Sequence, residues 1–169
     1  MKPYLLLSIF SLSMLISCID DPFDNDPKSL PPITTTGENT FGCLVNGELF
    51  VPKSTTKSVA IFQKGFLQIL AGIESPDTNL ALIIPSDSIK VGFKYDLTDT
   101  LESYTQSNTT PEGRIIWFEK EHTRFGHLEI SYLNKEDLIV SGTFQFEAIN
   151  DLKDTLIVTN GRFDLQYIP

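Results

Sequence analysis

The sequence is short of cysteine, histidine and positive charge, and each shortage narrows what the chain can do. Two cysteines, Cys18 and Cys43, are too few for the disulfide framework of a small secreted domain. Two histidines, His122 and His127, exclude a three-histidine metal centre. Thirteen Lys and Arg against 22 Asp and Glu leave a net charge of −9, which argues against nucleic acid and anionic lipid headgroups as partners. No apolar run reaches the roughly 20 residues that a membrane-spanning helix needs. There is no Gly-x-Ser-x-Gly elbow, no phosphate-binding loop and no His-Glu-x-x-His pair. Nor does any segment after residue 18 show a 3.6-residue apolar period.

What is present begins at the amino terminus. An apolar run opens at Tyr4 behind Lys2 and closes on Leu15-Ile16-Ser17-Cys18. A charged start, an apolar stretch of about a dozen residues and a small-residue cleavage position make a secretory signal over residues 1–17. Leu15-Ile16-Ser17-Cys18 resembles the lipobox of bacterial lipoproteins. The resemblance implies a diacylglyceryl thioether on Cys18, cleavage before it, and acylation of the new amine. One acyl chain holds only marginally, whereas two or three make release negligible, so the expected partner is the membrane through covalent lipid. Cleavage would also remove Lys2 and make the chain one unit more acidic. Cys43 then has no intramolecular partner and is expected to be a buried, inert thiol between Phe41 and Val45.

Residues 18–39 read as a lipidated, flexible acidic linker, with Asp20, Asp21, Asp24 and Asp26 followed by Pro31-Pro32 and Thr34-Thr35-Thr36-Gly37. Acidic residues just after the lipid cysteine resemble the signal that exports Bacteroidetes-type lipoproteins to the cell-surface face of the outer membrane. A solvated linker with no sorting role accounts for the same residues.

Residues 40–169 read as a single β domain, expected to be monomeric. Phe41 to Val45 and Glu48 to Val51 flank Asn46-Gly47, the pair that accepts the positive φ angles of a type I′ hairpin turn. Short strands follow over 58–63, 66–73, 79–84, 92–97, 114–119 and 126–133. Leu80 to Ile84 is apolar on both parities, as in a strand covered on two sides. In Thr143 to Ala148, Phe144, Phe146 and Ala148 share one face. Strands over 155–159 and 162–167 complete the set, with Arg162, Asp164 and Gln166 on a wet face, and residues 98–112 read as a long loop. About nine or ten strands at short spacing predict an all-β fold, an antiparallel sandwich or a partly closed barrel.

Phe41-Gly42-Cys43-Leu44-Val45-Asn46-Gly47, Val140 to Ala148 and Thr159-Asn160-Gly161-Arg162-Phe163-Asp164 together resemble a family of small Bacteroidetes-type outer-membrane lipoproteins classed as a domain of unknown function. That resemblance implies a location and a β architecture rather than a reaction. Gly142 and Gly161 are accounted for structurally, at the entrances of strands.

Sites are sparse. Ser54-Thr55-Thr56-Lys57 matches Ser-x-x-Lys, but the Ser-Asp-Asn and Lys-Thr-Gly companions of that nucleophile motif are missing. His127 and Glu129 share a strand face with Ser131, two ligands short of a metal site, and Asp77, Asn79, Asp96 and Asp99 lie in turns without the spacing of a calcium loop. No metal and no cofactor are expected. Trp117 sits in the apolar run Ile115-Ile116-Trp117-Phe118, where core packing accounts for it as readily as a binding platform; Tyr95, Tyr132 and Tyr104, the last in the long loop, are the other aromatic candidates for ligand contact. Asp87-Ser88-Ile89, Asp99-Thr100-Leu101 and Asp154-Thr155-Leu156 resemble the acceptor tripeptide for O-glycosylation of exported Bacteroidetes-type proteins, which implies modification at Ser88, Thr100 and Thr155. A turn aspartate leading into a strand explains them equally. The expectation is a membrane-anchored, non-enzymatic domain that binds a glycan or an envelope protein. The other reading is a glycan hydrolase that pairs carboxylates from Glu119, Glu121, Glu129 and Glu147.

Overall fold

A computed structural model describes residues 27–63, 65–74, 77–84, 89–98, 107–109, 115–117 and 123–169. The first strands are β1 (Thr40–Val45) and β2 (Glu48–Phe50), joined at Asn46 (φ 51°) and Gly47 (φ 87°). Both central residues take the left-handed angles expected of a type I′ turn. Asn46 also fastens this hairpin to the rest: its N–H donates to the Ile157 carbonyl and its Oδ1 accepts the Ile157 N–H, each at 2.8 Å. One 3-10 turn, Thr55–Lys57, leads into β3 (Ser58–Gln63), β4 (Phe66–Glu74) and β5 (Asp77–Ile84). Short strands β6 (Lys94–Asp96), β7 (Ser107–Thr109) and β8 (Ile115–Trp117) precede three long ones, β9 (Thr123–Asn134), β10 (Ile139–Ile149) and β11 (Thr155–Ile168).

The strands run in the order β6-β9-β10-β11-β3-β4-β5-β7-β8, with β1 on β11 and β2 on β1, and the path does not close into a barrel. Every pairing is antiparallel except one, where Tyr167 and Ile168 of β11 run parallel to Ala60 and Ile61 of β3. β11 is therefore the seam between two groups of strands. Leu67, Ile69, Leu80 and Leu82 from one group and Leu128, Phe144, Phe146 and Val158 from the other belong to one core. The architecture is all-β and sandwich-like, as the spacing of short strands indicates. Among the described residues no helix is long and apolar enough to cross a membrane.

Three details of the strands differ from the sequence reading. The stretch 98–112 contains β7, a three-residue strand paired with β5 and β8. The two strands read over 155–159 and 162–167 are one, because Asn160 (φ 54°) makes a bulge rather than a turn. The extra residue shifts the parity, so Leu156 and Val158 face inward before it and Phe163, Leu165 and Tyr167 after it. Gly142 and Gly161 lie inside β10 and β11, not at their entrances, where each faces a ring: Gly142 opposite Phe163, and Gly161 opposite Phe144. A Cβ at Gly142 would stand 2.3 Å from the Glu129 carbonyl oxygen and 2.7 Å from the Phe163 ring; at Gly161 it would stand 2.6 Å from the Phe144 ring. The missing side chains leave room for aromatic rings to lie over the backbone. Phe41 packs on Phe144 at 5.3 Å between centroids, which extends this cluster to β1. Cys43 is a free, fully buried thiol in the same core, and burial pushes its ionisation well above the usual thiol range.

Candidate functional site

Two places gather polar side chains. The first surrounds Asp164, which composition assigned to a wet face but which is only 1 % exposed. Its Oδ1 accepts the Ser141 hydroxyl at 2.7 Å and the Gly37 N–H at 2.9 Å. Its Oδ2 accepts the Thr34 hydroxyl at 2.7 Å and the N–H groups of Thr36 and Glu38 at 3.0 and 3.2 Å. Burial alone would raise this carboxyl, but the hydroxyl and backbone donors favour the charged form more strongly and hold it below the ordinary aspartate range. Part of the stretch that composition assigned to a linker is thus fastened across β10 and β11. We call residues 34–38 the strap. Asn39 extends it, accepting the Gln166 N–H at 3.0 Å on Oδ1.

The second is a groove of about 520 Å³ between the β2–β3 connection and the end of β4, with Pro27 at its edge. Leu49, Val51 and Ile73 supply apolar walls, and Lys53, Lys57 and Glu74 supply charge. The Ser-x-x-Lys match explains the local shape here. Ser54 Oγ accepts the Thr56 N–H at 3.3 Å and its carbonyl accepts the Lys57 N–H at 3.0 Å, which closes the 3-10 turn. Lys57 Nζ reaches Glu74 at 2.9 Å, and this hydrogen bond and charge hold the Glu74 carboxyl below its usual value. Serine caps a turn and lysine forms an ion pair, so neither is arranged as nucleophile and base.

The other candidates are dispersed. Cys18, Ser88, Thr100, Tyr104, His122, Asp99, Glu119 and Glu121 lie outside the described residues, as do the side chains of Trp117 and Asp77; Trp117 pairs with Ser107 through the backbone. Thr155 is exposed at the start of β11. The preceding turn is locked by Asn150 and Asp154, which exchange side-chain bonds of 2.8 and 2.9 Å. His127 faces Gln145 on one neighbouring strand and Asp96 on the other. Asp96 accepts the Thr98 hydroxyl at 2.7 Å and the Thr98 N–H at 2.8 Å, in that order the causes of its lowered ionisation. Among the described residues no three His, Cys, Asp or Glu side chains form a group that could hold a metal. Glu129 lies 3.9 Å from Lys94, and Glu147 lies 2.8 Å from Arg124. Thr143 faces Glu129 across the ladder, so Glu129 and Glu147 stand about 13 Å apart at the usual rise of a strand, beyond the span of a glycosidase pair.

The strap and the groove escaped the sequence reading for a shared reason: each joins residues from distant parts of the chain. Within the sheet, the register sets Ser141 directly opposite Asp164, two polar residues paired between β10 and β11. Residues 38–165 match the family described as a domain of unknown function (DUF6252). The chain belongs to that family. Among curated proteins and among solved structures, no match to the chain is found.

Proposed function

We propose that this protein is a lipid-anchored, non-enzymatic binding module of the bacterial outer membrane, of the Bacteroidetes lipoprotein type, whose ligand is a glycan or an envelope protein. The observation that carries the reading is Leu15-Ile16-Ser17-Cys18 at the end of a short apolar run. The strap supports it. A body pulled from its amino terminus needs that end fastened, and Asp164 binds the strap to β10 and β11. Asp96, Glu74 and Glu147, each engaged in a turn or an ion pair, are consistent with a binding role. In this reading Tyr104 and Trp117 are the aromatic ligand contacts, and Ser88, Thr100 and Thr155 the candidate glycan acceptors.

Labelling with a palmitate analogue tests the anchor. Wild type incorporates label and partitions into detergent, while Cys18→Ser does neither; an unlabelled wild type overturns the reading. Pulldown from envelope fractions tests the ligand, with Tyr104→Ala expected to lose the captured glycan or protein. Intact mass of the native protein tests the acceptors, because a mass equal to the lipidated polypeptide alone removes them.

A further inference from the structure

Pro27 borders the groove, so the point at which residues 19–26 join the described chain lies at the groove's edge. Those residues, 19–26, carry Asp20, Asp21, Asp24 and Asp26, the aromatic Phe23 and no positive charge. The groove sets two cations, Lys53 and Lys57, against one carboxylate, Glu74, beside the apolar walls Leu49, Val51 and Ile73, and so keeps a net positive charge. We propose that this groove is the docking site of the chain's own acidic segment 20–26, with Phe23 against the apolar walls and Asp24 and Asp26 at the two lysines. At about 520 Å³ the groove suits a few side chains rather than a folded partner. A separate molecule would also have to outcompete a segment joined directly to the groove's edge, whose effective concentration is in the millimolar range. Lys57 already meets Glu74 at 2.9 Å, and an aspartate arriving there shares the cation without replacing that bond, since the ammonium has three donors.

Docking would set how far the body stands from the bilayer, a consequence that rests on the anchor at Cys18, whereas the docking itself does not. Fully extended, residues 19–26 span at most about 29 Å; docked, they draw the β2–β3 end towards the lipid.

Chymotrypsin reports on the segment because it cuts after Phe23. In the full chain held in detergent, Lys53→Glu/Lys57→Glu should raise the rate of that cut about fivefold, the factor for losing a surface ion-pair cluster. Lys53→Arg/Lys57→Arg should keep the wild-type rate, and the unfolding midpoint should be the same in all three. Equal rates in wild type and the Glu variant overturn the proposal. Should the Glu variant unfold, added salt on the wild type decides: faster cutting at Phe23 supports docking, and an unchanged rate overturns it. Palmitate labelling is read separately, so a failed anchor and a failed docking give different results.

Discussion

Asp164 and Glu74 are two carboxylates set in opposite surroundings. Asp164 is buried among three backbone N–H groups and two hydroxyls from the strap and β10. Glu74 stands at the exposed end of β4 with Lys57 as its ion-pair partner. Both ionise more readily than usual, yet the shared direction hides different consequences. A buried anion surrounded by donors cannot be removed without stranding them, whereas an exposed ion pair exchanges its partner for water at little cost. The first arrangement fixes a chain segment and the second leaves a groove adjustable.

The largest effect expected from breaking this contrast is at Asp164. Asp164→Ala leaves the Ser141 and Thr34 hydroxyls and the strap's N–H groups without their acceptor, and should cost about 3 kcal/mol in urea unfolding. Water can reach the strap once it peels away, which caps the loss. Amide exchange at Thr36, Gly37 and Glu38 should therefore accelerate before the rest of the sheet opens. A loss under about 1 kcal/mol would show that the strap is not held by this carboxylate.

Acid should unfasten the same contact. The folded Asp164 carboxyl lies below the value of about 3.9 expected of the unfolded chain. Its stabilisation is fully present above that value and fades as pH falls towards the lower, folded one. Stability followed from neutral pH downward should drop through this window in wild type, and Asp164→Asn should flatten that part of the curve. Ser141→Ala removes a single donor at 2.7 Å and should cost about 1 kcal/mol, less than loss of the acceptor that all five donors share.

How much of this could be read from the residues depends on the distance along the chain between interacting groups. Asn46-Gly47 carries its φ angles in its own composition, and the alternation of Phe144, Phe146 and Ala148 places three side chains in the core without reference to any partner. Asp164 could not be placed this way. It alternates with apolar neighbours as a surface residue would, and four of its five donors come from the strap, more than 120 residues earlier in the chain. The glycines were legible as structural but not as to cause, because the rings that occupy the space over Gly142 and Gly161 belong to the opposite strand. Gly142→Ala, whose Cβ would press on the Glu129 carbonyl, should cost about 1–3 kcal/mol, a loss that arises from packing and persists at every pH.

The smallest expected effect completes the contrast. Glu74→Gln removes the charge facing Lys57 while keeping the shape of the β4 end, and the unfolding midpoint should stay within measurement error at any pH above the carboxylate range. The substitution should act on the groove instead. With its anionic partner gone, Lys57 is freer to meet another carboxylate, so the chymotryptic cut after Phe23 should slow where Lys53→Glu/Lys57→Glu speeds it. A midpoint shift as large as that of Ser141→Ala would mean that the exposed pair is structural after all. The division between a fixed strap and an adjustable groove would then fail at the groove, because Glu74 and Lys57 would be holding β4 to the 3-10 turn much as Asp164 holds the strap.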